Sequence, residues 1–220
     1  MITHHLNDQL LMAYSAGTLP EAFNLVVATH ISICDDCRAR LASFDALGGA
    51  LIEEAVGSAP VQMSSDSLGQ TLARIKTSPS APRKVPVMAK PERDRVLPEP
   101  LRSYVGGGVD TIKWRPVGGG VRQAILPTSE NASARLLYIP AGAAVPDHGH
   151  NGMELTLVLQ GAFADGHDRF ARGDVEIADE ELHHQPVAEP GLDCICLAAT
   201  DAPLRFRGLL PRLAQPFLQI

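Results

Sequence analysis

Aromatic side chains are scarce in this 220-residue sequence: one Trp, three Tyr and six Phe. No uninterrupted apolar run approaches the ~18 residues that a membrane span needs. The first residues, M-I-T-H-H-L-N-D, have no basic stretch leading into an apolar one, so no secretory leader is expected. These absences point to a cytoplasmic protein, where thiols stay reduced and cysteine pairs more often hold metal than each other. A basic excess is missing too. The formal net charge is −6, with four Lys/Arg against eight Asp/Glu in residues 1–78 and ten against fourteen in residues 101–220. Phosphate binding demands a basic face, so direct nucleic-acid binding is excluded. An acidic small domain suits a basic protein partner instead.

Six of the seventeen prolines fall in residues 79–100, among scattered charges and few large apolar groups. Such chain favours an extended form and cannot bury a core, which makes it a linker between two domains. Before it the pattern is helical. Asn7 or Asp8 is placed to cap a first helix carrying Leu10, Leu11 and Tyr14, with Gly17 as its stop. Thr18-Leu-Pro-Glu21 fits a capping box opening a second helix to about Ile33. A third helix is expected over about 36–55, with Leu41, Phe44, Leu47, Leu51 and Ile52 as its stripe, and a fourth over about 65–77 with Leu68, Leu72 and Ile75. The second helix is apolar nearly all round, and a domain of ~75 residues has little interior to hide it, so burial by a partner is expected.

After the linker the period changes to two. Arg135–Ile139, Leu155–Leu159, Val175–Ala178 and Cys194–Ala199 read as strands, spaced for an antiparallel barrel or jelly roll. The expectation is an α+β chain of two domains. A helical bundle of about four helices occupies residues 1–78, a proline-rich linker 79–100, and a β-barrel 101–220.

The densest chemistry lies between Gly142 and Gly161. His148 and His150 stand two apart, on one face if the chain is extended, and Glu154 follows four residues on. Three such N/O donors converging in a barrel form a transition-metal site awaiting a fourth ligand. The spacing G-x5-H-x-H-x3-E-x6-G resembles the first cupin motif throughout. Downstream, Gly173 and His184 keep the register of the second motif, while Asp179, Glu181 and Ala188 replace its proline, glycine and asparagine. His184 is the fourth candidate, and neighbouring His183 would point away from it.

A second constellation is H-x3-C-x2-C at His30, Cys34 and Cys37. Two thiolates at knuckle spacing, with an imidazole one helical turn earlier, favour zinc. The fourth ligand is sought in His4-His5, which spacing alone does not separate. Cys194 and Cys196 share a strand face and read as core. Gly106–Gly108 and Gly118–Gly120 read as turns, His167 as a hairpin tip, and Trp114 has no assigned role.

The helical half resembles the zinc anti-sigma domain family, whose signature is H-x3-C-x2-C plus an upstream histidine. The order of parts across nearly all of the chain is similar to that of the ChrR-type anti-sigma factors: zinc anti-sigma domain, proline-rich linker, C-terminal cupin. Local likeness runs through A-Y-S-A-G-T-L-P-E-A-F-N-L-V-V-A-T-H at 13–30, G-G-G-V-R-Q-A-I-L-P-T at 118–128, and V-P-D-H-G-H with E-L-T-L-V-L-Q-G within 145–161. The resemblance implies His5 as the fourth zinc ligand, beside His30, Cys34 and Cys37. It implies a divalent metal, zinc again, on His148, His150, Glu154 and His184. It further implies a 1:1 complex with a sigma factor of the extracytoplasmic-function group, no catalytic role, and release under oxidative signals such as singlet oxygen or organic hydroperoxide. The competing expectation is a cupin metalloenzyme, a dioxygenase or isomerase, with a zinc-binding interaction domain.

Overall fold

The structure is a computed structural model that describes residues 1–56, 63–78, 96–166, 168–206, 208 and 215. Most of the expected linker, residues 79–95, and the expected hairpin-tip His167 lie outside the described residues. The chain divides into two compact units, Met1–Asp45 with Asp94–Ile220, and Ala46–Arg93.

In the first unit, helix α1 (Asp8–Ser15) is capped by Asn7, whose side chain accepts the Leu10 N–H at 2.9 Å. Gly17 turns the chain with φ +68°, as its expected place as a stop requires. Helix α2 (Glu21–Ile31) begins after Pro20 with no side-chain cap. The capping box does not form. The Thr18 hydroxyl donates to the Ala13 carbonyl, and the Glu21 carboxylate accepts from the Ser129 N–H and the Tyr104 hydroxyl. Helix α3 (Asp35–Val56) follows, and its first part belongs to this unit.

A short helix that sequence reasoning did not foresee, α5 (Glu99–Val105), stands after the proline-rich stretch and ends at Gly106, φ +80°. Its Pro98 and Pro100 looked like linker. Proline is equally at home in a first helical turn, where its missing N–H is not needed.

Twelve strands follow among the described residues: β1 (Arg115–Gly118), β2 (Val121–Leu126), β3 (Ser133–Ile139), β4 (His148–Gly149), β5 (Glu154–Gln160), β6 (Ala162–Ala164), β7 (Arg169–Ala171), β8 (Val175–Ala178), β9 (His183–His184), β10 (Val187–Ala188), β11 (Cys194–Thr200) and β12 (Arg205–Phe206). All four strands expected from the sequence are among them. They form a six-stranded sheet in the order β1-β2-β3-β11-β5-β8 and two three-stranded sheets, β10-β6-β7 and β12-β4-β9. Every strand pairing is antiparallel.

The large sheet is covered on both faces. Leu136, Leu155, Leu157, Leu197 and Ala199 share one apolar core with α2 and α5, while Ile139, Val158, Cys194 and Cys196 share another with Phe163 and Phe170. Two-sided burial explains why E-L-T-L-V-L-Q and C-I-C-L-A-A-T are nearly continuous apolar runs rather than alternating ones. It also corrects the expectation for α2. Ala22, Phe23, Leu25, Val26 and Val27 are buried because the helix lies on the chain's own sheet, against β3, β5 and β11.

The second unit holds the rest of α3 and helix α4 (Ser67–Thr77). Here the helices fall where the periodicity places them, yet their stripes stay bare. Leu47, Leu51, Ile52, Leu68, Leu72 and Ile75 are all exposed, and α4 has no buried residue.

Candidate metal centres

The ends of two helices build the first cluster. His30 lies in the last turn of α2, Cys34 in the joint that follows, Cys37 in the first turn of α3, and His5 just before α1. The His5 Nδ1 stands 3.3 Å from the Cys34 Sγ and 3.6 Å from the Cys37 Sγ, and one donor atom from each of the four residues lies within 4.8 Å of every other. The structure thus separates the two histidines that spacing left open. His4 turns away, its Nε2 2.8 Å from Asp168 and its ring against Phe170.

The His30 Nδ1 is 3.0 Å from the Gly173 carbonyl, while its Nε2 is buried with no hydrogen-bond partner. An orphan of that kind costs on the order of 1–3 kcal/mol, which a bound cation removes. Burial also pulls the His30 pKa down to about 4, so its lone pair stays available. The same burial pushes the Cys37 thiol up to about 11, so a cation must supply the charge that makes it a thiolate. Two sulfurs and two nitrogens at tetrahedral spacing fit zinc.

The second cluster is set by strand register. Pairing of β4 with β9 puts His148 directly opposite His184, and His150 follows two residues later. The Nε2 atoms of His148 and His150 lie 3.2 and 3.3 Å from the Nε2 of His184. Two of the other ring nitrogens are occupied: the His148 Nδ1 is 2.8 Å from the Pro146 carbonyl, and the His184 Nδ1 is 3.0 Å from Glu176 and 3.4 Å from Asp165. With their protons on Nδ1, two bare Nε2 lone pairs face each other at 3.2 Å. That contact is repulsive unless a proton or a metal ion lies between them, and three converging imidazoles are a donor set that fits a metal.

Burial lowers the pKa of His148, and takes that of His150 to about 4. For His184 burial pulls the same way, but the Glu176 and Asp165 carboxylates outweigh it and the pKa rises. Glu154 stands beside the three nitrogens rather than among them. Its carboxylate is 3.9 Å from the His150 Nδ1, a buried atom without a hydrogen bond, and accepts from the Thr156 hydroxyl at 3.1 Å.

Sequence reasoning missed Glu176 and Asp165. Burial raises the Glu176 pKa, with His184 pulling against it. The available signal was a glutamate inside V-E-I-A, a short apolar strand where a charge needs a partner. A cavity of about 540 Å³ adjoins the cluster, walled by apolar groups such as Val121, Leu137, Phe163 and Phe206, with Arg135 and Glu154 also on its lining. Cys194 and Cys196 are buried with their sulfurs 3.5 Å apart, as expected of core thiols.

The chain thus joins an antiparallel sheet carrying an H-x-H…E…H set to a helical H-x3-C-x2-C set. Residues 105–202 match the ChrR cupin-like domain family. Over its whole length the chain is 60% identical to the anti-sigma-E factor ChrR of Cereibacter sphaeroides, of which it covers 99%. A crystal structure of Rhodobacter sphaeroides SigE in complex with the anti-sigma ChrR is also similar: TM-score 0.77 and 58% identity, covering 91% of this chain and all of that one. The chain belongs to the ChrR family of anti-sigma factors. No helix among the described residues is long and apolar enough to cross a membrane.

Proposed function

We propose that this protein binds and inhibits an extracytoplasmic-function sigma factor in the cytoplasm, 1:1, and is not an enzyme. The observation that carries the reading is full-length identity of 60% to an anti-sigma factor, joined to exposed apolar side chains along α3 and α4. Leu68, Leu72 and Ile75 on α4, with Leu47, Leu51 and Ile52 on α3, form the surface that a sigma factor covers. In this reading His5, His30, Cys34 and Cys37 hold a structural zinc in the helical domain, residues 1–78. The cupin domain, residues 101–220, holds a second divalent ion, zinc, through His148, His150, His184 and Glu154. Release under singlet oxygen or organic hydroperoxide runs through the cupin set.

Co-expression with the partner sigma factor tests the reading: a 1:1 complex that silences transcription in vitro supports it, and free sigma activity at excess of this protein sinks it. Elemental analysis of the purified chain is expected to give two metal equivalents. The cavity of about 540 Å³ beside three histidines favours one second reading, a metalloenzyme of the dioxygenase or isomerase type. Turnover of a small molecule by the metal-loaded protein would select it.

A further inference from the structure

A histidine that holds a metal is aimed by the bond its other ring nitrogen makes, and in the N-terminal cluster that bond comes from the β-rich part of the chain. The Gly173 carbonyl, in the turn between β7 and β8, lies 3.0 Å from the His30 Nδ1. The next residue seats the arm that carries His5. The Asp174 Oδ1 accepts the N–H groups of Thr3 at 2.6 Å and His4 at 2.9 Å, and its Oδ2 accepts the Ala171 N–H at 2.8 Å. The Val175 N–H donates to the His4 carbonyl, and Asp168 holds the His4 ring. Gly173 has φ +95°, and a Cβ there would stand 2.6 Å from the Ile2 side chain. Residues 2–4 therefore lie in a fitted seat on the β7–β8 turn, and that seat delivers His5 to the two sulfurs.

We propose that Asp174, assisted by Asp168 and the Gly173 carbonyl, is a positioning residue of the N-terminal zinc site, so that zinc affinity and docking of the arm on the β-rich part are one equilibrium. The proposal rests on the zinc reading above. The connection between β6 and β7, which supplies Asp168, also touches the cupin set. Asp165 lies 3.4 Å from the His184 Nδ1, and the Asp168 N–H donates to the Asp165 Oδ1 at 2.9 Å. Four residues in sequence of contact, His184, Asp165, Asp168 and His4, join the two clusters. By linkage, a change at one is felt as affinity at the other.

Cobalt-loaded full-length protein tests this. Thiolate ligation gives a charge-transfer band, and its loss in Cys34→Ser assigns it to the N-terminal site rather than to Cys196 on the lining of the cupin cavity. Competition with a chelator, read on that band, is expected to show cobalt held about 10- to 100-fold more weakly by Asp174→Ala. Asp174→Asn, which keeps one acceptor oxygen, is expected to fall between. Asp168→Ala should lose less than Asp174→Ala. Glu189→Ala, which breaks only the Arg169 pair on the neighbouring strand, should match the unaltered chain. Equal affinities throughout overturn the proposal while leaving the zinc reading intact. A band missing from the unaltered chain, or untouched by Cys34→Ser, overturns both. Should Asp174→Ala not fold, Asp168→Ala decides: its carboxylate is mostly exposed, and an unchanged affinity there refutes the seat.

Discussion

Around His30 the donors are two sulfurs and two nitrogens drawn from residues 5–37, all buried except His5. Around His184 they are nitrogens set opposite one another by strand pairing, facing a cavity of about 540 Å³. The first arrangement has the donor count of a closed structural site. The second keeps an approach through that cavity, as sites that meet small molecules do. The two donor sets of one chain thus differ in donor type and in access to a cavity.

The sharpest way to break that contrast is Cys34→Ser. Structural zinc supplies apparent binding on the order of 10 kcal/mol to small domains, so the variant is expected to lose one metal equivalent and its hold on the sigma factor. Elemental analysis and co-purification check both. Retained sigma binding would show that the closed site is not structural. Next in size is Phe23→Ala in α2, expected to cost about 3–5 kcal/mol because the ring fills the layer between helix and sheet. Its thermal or urea melt reports the loss. Glu176→Gln sharpens the cupin side: the His184 ring loses the nearer of its two carboxylate partners, and metal affinity is expected to fall about 10- to 100-fold there and not at the thiolate site. Chelator competition on both sites separates the two. The smallest effect on stability belongs to Leu72→Ser on α4, within about 0.5 kcal/mol because the side chain is exposed. Affinity for the sigma factor, by titration calorimetry, is expected to drop all the same. An unchanged affinity would remove α4 from the binding surface.

Local signals were legible where the cause is local. Asn7, Gly17, the four long helices and the strands around Leu136, Leu157 and Leu197 follow from caps, turns and periodicity. Seven of the eight metal candidates follow from spacing and the eighth, His5, from the family resemblance; seven of the eight meet in their clusters, with Glu154 set slightly aside. What spacing does not carry is long-range. That α2 finds its cover on β5 and β11, more than 120 residues away, is a property of the assembled sheet. The choice of His5 over His4 depends on Asp168 and Asp174, which offer His4 a place elsewhere. Glu176 and Asp165 were hidden because a partner of His184 is defined by register across strands, not by distance along the chain.

The double cover of the central strands has a consequence in time. An amide in β5 or β11 is hydrogen-bonded to strands on both sides and lies under α2 on one face and the cavity wall on the other. No small local opening brings water to it, so these hydrogens are expected to exchange only when the whole unit unfolds. The amides of α4, with no buried side chain to hold the helix down, are expected to exchange at rates set by fraying of a single helix. The same molecule would then keep two clocks, many orders of magnitude apart. Only the fast one should slow when a sigma factor closes over α4.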